Sequence, residues 1–144
     1  MSHWAQGKYE VINTAKYVGN GIPRYRSGWE LSFMRFCDNN EHILQWASES
    51  IAIPYRNPVT GKMSQYIPDF LVTYRNKNNT MRAELIEIKP KKQSVIESKM
   101  SSRDRAVVAV NYAKWASAQK WCNRNGLSFR VITELDMFHN GKSK

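Results

Sequence analysis

The sequence predicts an α/β fold, a mixed β-sheet flanked by helices, and three observations carry that prediction. Strand-like runs cluster in the middle of the chain, helix-patterned runs stand on either side of them, and one last strand-like run follows the second helix. The resulting order of helix, about three strands, helix and strand points to a mixed sheet flanked by helices.

Taken in order, residues 1 to 26 are polar with interspersed aromatics and cations and sustain no period of 2 or 3.6, so an irregular basic and aromatic arm is expected there. At RSGWELSFMRFCD a helix begins. Ser27 is its N-cap, with Glu30 three residues later in the form of a capping box. Trp29, Phe33, Phe36 and Cys37 fall on one face at about 100° per residue. HILQW and ESIAIPYRNP read as the first strand region and VTGK as a turn; residues 65–74, QYIPDFLVTY, read as the next strand. The polar RNKNNT loop leads into MRAELIEIK, which Pro90 ends because it has no N–H for the ladder. RDRAVVAVNYAKWASAQKWCNRNG is a long helix stopped at Gly126, LSFRVITEL is a final strand, and residues 137–144 are expected to form a flexible tail. Residues 27–136 are thus expected to form one domain, a size that the 144-residue length supports.

Composition narrows the function. Against 12 Asp and Glu stand 22 Lys and Arg, a net charge of +10 that points to a polyanionic partner, with nucleic acid the leading choice. No apolar run approaches the roughly 20 residues needed to cross a bilayer, and the N-terminus lacks an apolar signal core, so a soluble, unexported protein with no membrane partner is expected. Cys37 and Cys122 sit in helical apolar patterns, which favours reduced core thiols. Scattered histidines and the lack of a CxxC argue against structural zinc.

Charged residues interrupt the best strands. Glu87 and Lys89 share one face of their strand while Ile86 and Ile88 share the other, so one face is expected to be apolar and the other not. Asp69 interrupts an apolar run on the preceding strand. If the two strands pair, two carboxylates and an ammonium converge, and close carboxylates favour a divalent cation between them. A hard, oxygen-seeking ion such as Mg²⁺ suits that donor set. The bland alternative is a solvated strand face on which Glu87 and Lys89 form an ordinary exposed pair.

These residues, Pro68-Asp69 followed by Glu87-Ile88-Lys89, resemble the PD-(D/E)xK nuclease superfamily. The surrounding segments YRSGWELSFMRFCD, IPY, YIPDF, EIKP and VNYAKWASAQKWCNRNGLSFRVITE, from about residue 8 to 136, resemble the head-completion nucleases of T-even-type tailed phages, close in arrangement to the endonuclease subunits of cut-and-paste transposases. The resemblance implies a restriction-endonuclease-like αβββαβ core. It implies that Asp69 and Glu87 bind metal, and that Lys89 positions or activates the attacking water and stabilises charge on the phosphate. Glu30 corresponds to the additional acidic residue that some members carry on the first helix, and the Ile88 carbonyl completes the expected metal ligands. The expected cofactor is Mg²⁺, with Mn²⁺ able to substitute. One departure is that Gln119 is followed by Cys122 and Asn123, with no tyrosine to complete the Q-x-x-x-Y of exonuclease relatives, which counts against a processive exonuclease.

Several polar residues extend the site. Glu30 has a capping role available at Ser27, but its helical angle falls between Met34 and Cys37, so it is expected to face inward as well. Val108, Trp115, Ala118 and Cys122 define a buried stripe with Asn111 in its middle and Lys114 on its edge; backbone can satisfy Asn111, or both side chains can reach toward a scissile phosphate. Lys91 and Lys92 beyond Pro90 are phosphate contacts, and Arg24, Tyr25 and Arg26 combine a stacking ring with cations, which suits DNA ends or single strands and equally suits a partner protein. The function expected is a metal-dependent DNA endonuclease that trims DNA at a phage head after packaging, in the host cytoplasm during assembly or in the virion head, docking on head, portal or neck proteins. The rivals are a transposase-type or junction-resolving endonuclease and a non-catalytic DNA-binding head or neck structural protein.

Overall fold

The computed structural model describes residues 6–97 and 99–136. The expected tail at 137–144 lies outside them, as do the first five residues of the arm. In chain order the elements are β1 (Gly7–Lys8), β2 (Arg24–Tyr25), α1 (Gly28–Asn39), β3 (Ile43–Ser48), β4 (Ile53–Arg56), β5 (Met63–Tyr66), β6 (Phe70–Arg75), β7 (Met81–Ile88), a 3₁₀ turn (Lys91–Gln93), α2 (Ser102–Asn125) and β8 (Ser128–Ile132).

The main sheet has the order β3-β6-β7-β8, antiparallel except for the parallel β7–β8 pair. Parallel neighbours need a crossover, which α2 supplies. The fold is therefore the expected mixed sheet flanked by helices, in the restriction-endonuclease-like order. Both predicted helix signals are in place. The Ser27 hydroxyl accepts from the Glu30 N–H at 3.1 Å, and Gly126 ends α2 at φ 75°, a left-handed conformation that glycine adopts without a Cβ clash.

Helix α1 packs Phe33, Met34 and Cys37 onto one face of the sheet, against Trp46, Phe70, Val72, Ile86, Ile88 and Ile132. Helix α2 covers the other face with Ala118 and Cys122, against Leu71, Leu85 and Phe129. This corrects the expectation that only one face of β7 is apolar, since Leu85 on the Glu87 side is buried as well, and it sets aside the solvated face of the bland alternative. Leu85, Ile86, Glu87 and Ile88 are all buried, as in an internal strand covered on both sides. On α1 the buried arc runs through Met34 and Asp38 while Phe36 is partly exposed, and on α2 Asn111 is more buried than Trp115.

The first strand region divides in two. HILQW enters the main sheet as β3, whereas IPYR pairs with MSQY in a separate β4–β5 hairpin. The run QYIPDF is likewise interrupted, with Tyr66 closing the hairpin and Phe70 opening β6. Pro68, which has no N–H for a ladder, marks that break. Hairpin residues Tyr55 and Tyr66 pack into the core beneath α2.

The N-terminal segment lies along the edge of β3. Val18 N donates to the Trp46 carbonyl at 2.9 Å and Trp46 N to the Lys16 carbonyl at 3.0 Å, so part of the edge strand's free hydrogen-bonding row is occupied. Tyr17 sets its ring edge-on to Trp46 with centroids 4.7 Å apart. No helix among the described residues is long and apolar enough to cross a membrane.

Candidate active site

The register of β6 and β7 builds the site. Phe70 pairs with Ile86, so one step further along Asp69 stands opposite Glu87, and directly opposed residues project to the same side of a sheet. The Asp69 Oδ2 accepts from the Ile88 N–H at 2.7 Å. Glu87, 5% exposed, accepts at Oε1 from the Tyr66 hydroxyl at 2.9 Å and meets Lys89 Nζ with Oε2 at 3.1 Å. The Glu87–Lys89 pair is thus an enclosed one, unlike the exposed pair of the bland alternative. Its energetic cost makes it a poor device for stability alone.

Glu30 reaches the same region from the first turn of α1. Its N–H is capped by Ser27, and its Oε1 accepts from the Arg26 N–H at 3.3 Å. Capping and an inward-facing carboxylate therefore coexist. Burial raises the Asp69 carboxyl well above the ordinary carboxylate range, and the negative charges of Glu87 and Glu30 add to that, against the Ile88 N–H and Lys89. Glu30 is also raised, by burial first, with Arg26 opposing and the charges of Glu49 and Glu87 reinforcing. These carboxylates crowd one another, the condition that a bound cation relieves.

Among the described residues, no three acidic, histidine or cysteine side chains already converge to hold an ion. Glu87 meets Lys89 and Tyr66, and Glu49 meets Arg26. The donor set is nevertheless all oxygen and net acidic, which fits a hard divalent cation.

Two contributors were not legible as site residues. Tyr66 holds Glu87, and burial followed by the Glu87 charge raises its phenol. Glu49, just beyond β3, donates its N–H to the Asp69 carbonyl at 3.0 Å. Tyr66 stands three residues before Asp69, but no spacing ties it to Glu87, 21 residues further on. Nothing in the polar run around Glu49 marks it.

The remaining sequence-predicted residues divide. Lys114 lies with Nζ 5.8 Å from the ring centroids of both Tyr55 and Tyr66, so α2 approaches the site through the tyrosine that holds Glu87. Asn111 donates Nδ2 to the Gln93 carbonyl at 2.9 Å. Its amide is met by backbone, and the contact ties α2 to the turn that presents the exposed Lys91 and Lys92. The structure does not gather Arg24, Tyr25 and Arg26 into one stacking surface. Arg24 is exposed, Tyr25 packs against the α1 core, and Arg26 Nη1 pairs with Glu49 at 2.7 Å.

Comparison with known proteins agrees with this architecture. Residues 40–134, which include Asp69, Glu87 and Lys89, match the family model described as TnsA-like endonuclease N terminal. Over 141 residues the chain is 33% identical to the head completion nuclease of Enterobacteria phage T4, covering 89% of this chain and 90% of that protein. On these two matches and this fold, the chain belongs to the TnsA-like endonuclease family, alongside a phage head completion nuclease.

Proposed function

We propose that this chain is a metal-dependent DNA endonuclease of PD-(D/E)xK type that hydrolyses phosphodiester bonds and processes DNA during phage head completion. The observation that carries this reading is the enclosed row in which Asp69 faces Glu87 and Lys89 is held at 3.1 Å from Glu87. Asp69 and Glu87, with Glu30 and the Ile88 carbonyl, would hold Mg²⁺, for which Mn²⁺ would substitute. When bound, such an ion supplies Lewis acidity toward the phosphate and lowers the pKa of nearby water.

The chain's own groups do the rest. Lys89, anchored by Glu87, orients the attacking water and places positive charge where negative charge develops on the phosphate. Tyr66 fixes Glu87 in one orientation. Burial of Glu87 limits the water that screens these charges, which strengthens each interaction. Lys91, Lys92, Lys114 and Arg24 contact phosphates, giving affinity that falls with salt and carries no base sequence. Host cytoplasm during assembly, the virion head, and head, portal or neck proteins as docking partners follow from the same proposal.

The match to a TnsA-like model favours one alternative, an endonuclease acting on recombination ends or junctions. Incubating the purified protein with linear, circular and branched DNA, in Mg²⁺, in Mn²⁺ and in chelator, separates the readings. Cleavage that needs the metal and takes linear or circular DNA supports head-completion processing, whereas strict preference for branched DNA supports the alternative. Binding without cleavage in every condition rejects the enzyme and favours the structural DNA-binding rival.

A further inference from the structure

The strand register brings another acidic residue alongside Asp69. Ser48 pairs with Phe70 across β3 and β6, and one step on the Glu49 N–H donates to the Asp69 carbonyl at 3.0 Å. Glu49, Asp69 and Glu87 therefore follow one another along the backbone at neighbouring ends of β3, β6 and β7. Glu49 takes a φ of 50°, uncommon for a residue with a Cβ, and its Oε1 meets Arg26 Nη1 at 2.7 Å. Arg26 also donates its backbone N–H to Glu30 Oε1 at 3.3 Å. One residue thus touches both outlying carboxylates, while Lys89 holds Glu87 at 3.1 Å from the other end.

Formal charge gives this arrangement a meaning. With every group ionised, as when a cation is bound, Glu30, Glu49, Asp69 and Glu87 carry four negative charges and Arg26 and Lys89 two positive ones. The balance of two negative charges is what one divalent cation offsets. The Arg26–Glu49 side chains are 56% and 31% exposed, and ion pairs so exposed add little to folding stability. Their effect on the charge beside Asp69 is therefore separable from any effect on the fold.

We propose that Arg26 and Glu49 are positioning residues that set how tightly the carboxylate row takes a divalent cation. Arg26, held by Glu49, supplies positive charge on the side away from Lys89, orients Glu30 through its backbone N–H, and withholds Glu49 from the ion. This inference rests on the metal-dependent reading above. Removing the guanidinium releases Glu49 and deepens the negative field. Removing the Glu49 charge leaves Arg26 unopposed beside the row.

The test is calorimetric titration of Mn²⁺ into DNA-free protein at low ionic strength. It compares wild type, Arg26→Met, Glu49→Gln, the double variant and the charge-preserving Arg26→Lys, with thermal unfolding in chelator as the check on folding. The expected result is affinity roughly fivefold tighter in Arg26→Met and roughly fivefold weaker in Glu49→Gln. The double variant and Arg26→Lys should stay close to wild type. Single variants that shift in the same direction, or that do not shift, overturn the proposal while wild-type binding leaves the metal-dependent reading standing. A wild type that cuts DNA in chelator and binds no Mn²⁺ overturns both.

Discussion

Asp38 is fully buried and Asp69 partly buried by this fold, and their surroundings differ in kind. Asp38, at 0% exposure, accepts from the Tyr9 hydroxyl at 2.6 Å, the Ile12 N–H at 2.8 Å and the Asn13 N–H at 2.9 Å. Lys16 Nζ reaches its carbonyl at 3.1 Å and that of Asn40 at 2.7 Å, meeting the end of a helix with no basic residue in its last turn. Asp69 has the single Ile88 N–H and two carboxylates whose charge it feels. Burial alone would raise the Asp38 carboxyl, but the hydrogen bonds from Tyr9, Ile12 and Asn13 outweigh it and hold it below its usual range. Asp69 is pushed the other way. A carboxylate supplied with donors fastens the N-terminal segment to α1, whereas one supplied with like charges is, on the function proposed above, the place for a cation.

The comparison breaks most visibly in activity. Asp69→Asn removes a charge that the fold crowds, so DNA cleavage is expected to fall by roughly 10³-fold or more while the urea midpoint in chelator holds or rises. Asp38→Ala should do the reverse. It strands the Tyr9 hydroxyl and two backbone N–H groups, so unfolding in urea should show a loss of about 3 kcal/mol, a large share of a domain's usual margin. The surviving folded fraction should still cut.

The pH dependence gives opposite signs. A depressed carboxyl contributes stability that is present above its unfolded-chain pKa and is lost as pH falls through the folded value, so Asp38 accounts for stability lost on acidification below about pH 4. A raised carboxyl contributes in the other sense. Between the unfolded value and the higher folded value the native state holds the extra proton, so stability declines as pH rises through that window. Urea midpoints measured in chelator should show both slopes, with Asp38→Asn reducing the acid loss and Asp69→Asn flattening the decline above it. The smallest effect belongs to Tyr66→Phe, which leaves Glu87 with Lys89 alone. About 1 kcal/mol of stability and roughly a tenfold loss of single-turnover cleavage are expected.

How much of this was legible follows from the same physics. The alternation that puts Glu87 and Lys89 on one face and the spacing that brings Asp69 beside them depend on strand geometry and a short loop, both readable from the chain. So were the Ser27 cap, the Gly126 stop and the stripe that buries Asn111, each set by local rules. The hairpin was not readable, because IPYR and MSQY carry strand propensity without saying which sheet they join. Tyr66, Glu49 and Asp38 act through partners 21, 20 and 29 residues away, and no local pattern encodes such contacts. Asp38 did leave one trace, an acidic residue at the end of a helix where the dipole disfavours it.

Carboxyl NMR titration of the DNA-free protein, with and without saturating Mg²⁺, tests the central claim most directly. The account predicts that without the ion Asp69 titrates well above the ordinary carboxylate range while Asp38 titrates below it. Adding Mg²⁺ should then move Asp69 sharply downward and leave Asp38 where it was. An Asp69 that titrates at its ordinary value and ignores the ion, or an Asp38 that responds as strongly, would contradict it.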